Sequence, residues 1–260
     1  MAAGLLVSLV VLFSAAAQAA RKTLKSAGAV KVVQVVNGAT VRFESGDTAR
    51  LAAIAAPRLG GRSDIPWPHA KTARQALAAL VLNKTVRVFH AGRRVDRYGR
   101  LIVHLFIGER WIQGAMVAGG HARGRSYRDN RLRVSALLKM EAAARKTGAG
   151  LWQHSRYALR TPETVARDLD SWQIVEGTVK AVAALKRSTY LNFGDNWRKD
   201  FTVQINARSR RLFRKAGFDL KAFENKRIRV RGWVRSRNGP LIVATHPEQI
   251  ELLTTSKPKQ

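Results

Sequence analysis

Three arginines carry guanidinium groups that could hold an anion: Arg50, Arg58 and Arg100. Arg50 opens the run Arg50-Leu51-Ala52-Ala53-Ile54-Ala55-Ala56-Pro57, Arg58 closes it, and Arg100 ends Asp96-Arg97-Tyr98-Gly99-Arg100. A guanidinium is permanently charged and presents a planar fork of donors that suits phosphate oxygens. The acids near these arginines in sequence are few. Glu44 and Asp47 flank a turn and read as solvent-facing, Asp64 sits in a long loop, and Asp96 reads as an anchor for Arg100 or its loop. There is no cysteine, which excludes disulfides, thiolate metal sites, a cysteine nucleophile and lipid attachment to cysteine. His69, His90, His104, His121, His154 and His246 show no metal-ligand spacing and read as surface or packing residues.

A second group of candidates lies further along. Arg227, Arg229, Arg231 and Arg235 alternate with Ile228 and Val230, and Tyr190, Trp197 and Trp233 are near in sequence. A cationic strand face beside aromatic rings suits phosphate tracking and base stacking on a single strand. On that reading Tyr190, Arg229 and Arg231 contact nucleic acid. The plainer reading is a solvated arginine stripe, with Phe193, Phe201 and Trp233 in the core. The whole chain supports an anionic partner: 47 Lys and Arg stand against 17 Asp and Glu, a formal charge of +30 spread over both halves.

The elements that must position these residues follow from periodicity. Val32 to Val36, then Asn37-Gly38, then Val41 to Phe43, the turn Ser45-Gly46-Asp47 and Ala49 to Ile54 predict a three-strand meander. A loop over 57–68 precedes a helix over 70–82, with Ala73, Ala76, Leu77, Leu80 and Val81 on one face. Strands over 85–89 and 101–107 and helices over 111–117 and 132–144 follow, the last closed by Gly148 and Gly150. Five strands with a helix between the third and fourth is the order of an OB-type barrel. A second set repeats it, with strands over 172–182, 189–193, 201–205, 228–234 and 241–244 and a helix over 210–223.

From Lys31 to Trp152 the chain resembles the thermonuclease, or staphylococcal-nuclease-like, family. Val35-Val36-Asn37-Gly38-Ala39-Thr40-Val41 is similar to the family's V-I/V-D-G-D-T-V turn. Arg50 to Arg58 is similar to R-L-x-x-I/V-D-A/T-P-E, and Asp96 to Arg100 matches D-R/K-Y-G-R. Glu141 to Arg145 followed by Gly150-Leu151-Trp152 is similar to the family's last helix and its G-I/L-W ending. The resemblance implies a nuclease that hydrolyses DNA and RNA phosphodiesters with one calcium ion, held by two aspartates. It also implies a glutamate that serves as general base or orients the attacking water, and two arginines on the phosphate. Carried over singly, the arginines correspond to Arg50 and Arg100. The metal aspartates fall on Ala39 and Ala55, the glutamate on Arg58, and the first aspartate of the turn on Asn37.

These readings give a mainly β protein with helices. They divide it into a signal peptide over 1–20, a thermonuclease-like domain over 28–153 and a linker over 154–171. An OB-like domain over 172–253 and a disordered tail over 254–260 complete it. The apolar run Leu5 to Phe13 and Ala17-Gln18-Ala19 predict export to the periplasm or beyond, with an uncleaved anchor as the alternative. No later segment is apolar enough to cross a bilayer. The expected function is binding of nucleic acid or another polyanion by a catalytically degenerate domain, with no cofactor and no metal. A divergent metal-dependent nuclease and an envelope-polymer interaction protein are the alternatives.

Overall fold

The computed structural model describes residues 24–60 and 65–253. The expected signal peptide and tail lie outside them, as does Asp64. The chain forms two units, the first ending at His154 and the second starting at Ser155, each with its own apolar core.

In the first unit β1 (Lys25–Asn37), β2 (Thr40–Phe43) and β3 (Thr48–Leu51) form the meander, followed by the short β4 (Ile54–Ala55). Helix α1 (Ala70–Val81) leads to β5 (Thr85–His90), β6 (Leu101–Ile107) and β7 (Arg110–Trp111). Helix α2 (Ile112–Ala118), β8 (Arg123–Gly124) and α3 (Val134–Lys146) complete the unit. Strand β1 is long enough to serve two neighbours: its first half pairs with β5 and its second with β2. Strand β3 pairs parallel with β6, and β6 antiparallel with β5, which closes a five-stranded barrel. Alternation puts Val32, Val41, Phe43, Val86, Val88 and Val103 inside. Helix α1 covers the core with Ala73, Leu77 and Val81, spaced for one face. Its end carbonyls, Ala79 O and Leu80 O, accept from Lys84 Nζ at 2.8 and 3.1 Å.

The second unit contains β9 (Ser171–Thr178), β10 (Ala181–Ala184), β11 (Ser188–Asn192) and β12 (Thr202–Asn206). Helix α4 (Ala207–Lys215), β13 (Arg227–Ser236), β14 (Pro240–Val243) and β15 (Ile250–Leu252) follow. The strand expected over 172–182 is two strands, because its halves serve different neighbours: β9 pairs with β13 and β10 with β11. With β11–β12 antiparallel, β12–β14 parallel and β13–β14 antiparallel, the pairing order repeats that of the first barrel. The helix expected over 210–223 starts earlier, where Asn206 Oδ1 accepts from Ser209 N, and stops at Lys215 before Gly217 at φ +80°. The expected linker is in large part built into this unit. Val165 lies in its core, and Arg160 holds Asp168 at 2.6 Å. Among the described residues no helix is long and apolar enough to cross a membrane.

Candidate functional site

Arg50 sits on β3 opposite Ile102 of β6, so the parallel pairing brings Arg100, two residues earlier, to the same barrel end. The short β4–β8 ladder pairs Ala55 with Arg123, and Arg125 N donates to Ala53 O at 2.8 Å. That carries Arg125 to the Arg50 neighbourhood. The turn bearing it is held from within: Gly124 N donates at 2.6 Å to Oε2 of the fully buried Glu141 on α3, whose Oε1 accepts from Arg145 at 3.4 Å.

Asp96 organises the Arg100 loop. Its Oδ1 accepts from the N–H groups of Tyr98 and Arg100 at 2.9 and 3.1 Å. Its Oδ2 accepts from Arg100 Nε at 2.8 Å and lies 2.6 Å from Nη2. Burial pushes the Asp96 carboxyl up, but the hydrogen bonds from Arg100 and the two backbone groups outweigh it and hold the acid below its usual range. Arg97 and Arg100 lie 4.8 and 5.1 Å from the Tyr98 ring, and Arg125 lies 5.7 Å from that of Tyr127; both tyrosines are exposed.

Arg50 differs from its neighbours. Its guanidinium is half-buried and has no hydrogen bond or ion pair among the described residues. Burial is the main reason its pKa falls below the usual arginine value. Tyr127 opposes that shift, Arg100 and Arg125 add to it, and Asp96 opposes it. The third cation here is therefore Arg125, not Arg58. Arg58 is exposed and leans over the Trp67 ring at 5.3 Å.

The positions where the resemblance implies carboxylates carry none. Ala39 is buried in the β1–β2 turn, its N–H given to Asn37 Oδ1 at 2.9 Å, and Ala55 is on β4. The turn packs so closely on α1 that a Cβ at Gly38 would lie 2.7 Å from that of Ala56 and 2.8 Å from that of Ala73. Glu44 accepts from Lys31 N and Asp47 from Ser45 Oγ, both at the exposed β2–β3 turn. Among the described residues no three His, Asp or Glu side chains are arranged to hold a metal ion.

The family model described as Staphylococcal nuclease homologue matches residues 48–154. Over residues 48–154 the chain is similar to that nuclease family. A thermonuclease of Staphylococcus hyicus is 22% identical over 127 residues, which cover 48% of this chain and 75% of that protein. The family-model match takes in Arg50, Ala55, Arg58, Arg100 and Arg125 and begins after the Ala39 turn.

Some groupings in this domain had no sequence signal. Arg125 and Tyr127 reach the site through a two-residue ladder that leaves no periodic pattern. Three histidines from separate elements also meet: His69 Nε2 lies 2.9 Å from His121 Nδ1, with the His154 ring 6.3 Å from that of His69. Burial lowers both the His69 and His121 pKa values, and His121 and His154 lower that of His69 further.

In the second unit the expected arginine stripe is not a free cationic face. Arg231 is 2% exposed and meets Glu251 at 2.5 Å, and Arg229 meets Glu176 at 2.8 Å and Glu251 at 3.6 Å. Arg227 also pairs with Glu176, at 2.8 Å. The strands flanking β13 supply these acids. Phe193 and Phe201 are core residues, whereas Trp233 is exposed. Tyr190 is on the outer face of β11, within 3.4 Å of Gln204 Nε2.

Proposed function

We propose that this chain binds nucleic acid or another polyanion through the arginine cluster of its nuclease-homologue domain and does not hydrolyse it. The observation that carries the reading is Arg50, half-buried, without a hydrogen bond or ion pair among the described residues, and under the field of Arg100 and Arg125. A phosphodiester oxygen supplies the missing acceptor, and a charge-assisted hydrogen bond in such a site is strong. Calcium does not fit. It requires several oxygen ligands, largely carboxylates, whereas positions 39 and 55 offer methyl groups, position 58 a guanidinium, and Asp96 is engaged by Arg100. Arg58 cannot accept a proton, so it cannot serve as general base. We further place the protein in the periplasm or outside the cell, on the strength of the apolar run and small residues over 1–20.

The purified full chain, mixed with labelled single-stranded DNA and calcium, magnesium or manganese in turn, tests this. Binding is expected in every case, with log affinity falling linearly with log salt. Arg50→Ala or Arg100→Ala should each weaken it about tenfold, from the ~1.5 kcal/mol of a hydrogen bond to a charged group. No shortened product is expected. Metal-dependent cleavage that disappears in Arg100→Ala would instead establish a divergent nuclease. Displacement of the DNA by an anionic envelope polymer at far lower concentration than by unlabelled DNA would point to an envelope partner.

A further inference from the structure

The second barrel carries a groove of about 330 Å³ on the outer face of β10, β11 and β12, bordered by the β13–β14 turn. Strand register builds its floor. Ala183, Tyr190 and Gln204 lie side by side across the three strands, with Asn192 opposite Thr202 next to them. The residues between them, Leu191, Val203 and Ile205, point into the core. One wall is Trp197, which is 51% exposed and has the Arg198 guanidinium 4.5 Å from its ring. The other rim carries Arg237 and Asn238. Arg237 is exposed and has no ion pair among the described residues. Acids of the Trp197 loop are engaged locally: Asp195 with Lys180 at 2.7 Å, and Asp200 with Asn196 N at 2.7 Å.

The groove ends at Leu185, where the charge becomes dense. Arg210 of α4 donates to Leu185 O and Lys186 O at 3.0 and 2.6 Å, and Ala207 N donates to Arg187 O at 2.9 Å. These bonds lash the start of α4 to the rim. Beyond them Arg208, Arg211, Arg214 and Lys215 are exposed at helical spacing, with no acid in the first turn.

We propose that this groove is a binding site for single-stranded nucleic acid. An unpaired base stacks on Trp197 and Tyr190, amide groups of Gln204 and Asn192 meet its edge, and the phosphates run from Arg237 toward Lys186 and α4. A ring platform flanked by cations suits a strand whose base faces are free; a duplex hides those faces. The site is independent of the Arg50 cluster.

The experiment compares binding of the full chain to a short single-stranded oligonucleotide, an abasic strand with the same number of phosphates, a duplex and a sulfated polysaccharide. The intact protein should prefer the base-bearing strand over the abasic one by at least about fivefold, from the stacking of one base. Trp197→Ala should erase that preference while leaving abasic binding unchanged, and Trp197→Phe should keep most of it. Arg50→Ala should weaken both strands equally and leave the preference intact. Equal affinity for the two strands, an unchanged preference in Trp197→Ala, or tighter binding of the duplex or polysaccharide through Trp197 would overturn the proposal.

Discussion

Two side chains of the first unit show how burial decides what a titratable group does. Asp96 keeps its charge because four donor contacts converge on it. His104 has the opposite fate. It is fully buried on β6, its Nδ1 accepts from Trp111 Nε1 at 3.3 Å, and its Nε2 has no hydrogen-bond partner. Burial, then the Arg133 charge, then His90, push its pKa down to about 3. Between that value and the ordinary 6.5 the unfolded chain binds the proton and the folded chain does not, so stability is complete above pH 6.5 and is lost as pH falls. At pH 5 the loss is about 2 kcal/mol, from ~1.36 kcal/mol per unit. His69 and His121, lowered by burial, act in the same direction. Urea unfolding at pH 7.5 and 5.0 should show the drop, and His104→Phe should remove about 2 kcal/mol of it. An unchanged pH dependence in that variant would mean the imidazole does not titrate in this way.

At the scale of elements, regular pattern was legible and cross-strand partnership was not. The short apolar run over 101–107 located β6 over the expected range, and the apolar face of α1 was read nearly residue for residue. Period-two alternation correctly placed Arg227, Arg229 and Arg231 on one face of β13. It could not show that β9 and β15 bring Glu176 and Glu251 against that face. Arg50 and Arg100 were readable from their motifs. Arg125 was not, because its position depends on a two-residue ladder and on a carboxylate from a later helix. Glu141 is therefore the element-scale test. Glu141→Ala removes the acceptor for Gly124 N–H and a partner of Arg145 from a dry interior, at a cost of about 3 kcal/mol. Denaturant titration measures that cost. DNA binding by the surviving folded fraction should also weaken, because Arg125 loses its support; Glu141→Gln should restore part of both.

For the whole molecule, the balance of charge shapes behaviour more than any single contact. The sequence carries +30, and both units have apolar cores that form without cysteine, so reducing agents should not alter stability. Such a charge disfavours compaction through self-repulsion and draws anions to the surface. One consequence concerns how the protein is handled. The Arg50 guanidinium has no protein acceptor among the described residues, so on the proposed reading a solution anion would complete it. Inorganic phosphate at one hundred times its dissociation constant should add about 2.7 kcal/mol to the first unit. Melting temperatures should then rise on exchange from a chloride to a phosphate medium of equal ionic strength, and much less so for Arg50→Met. On that reading the choice of buffer becomes a ligand choice, and samples prepared in different salts would be different complexes.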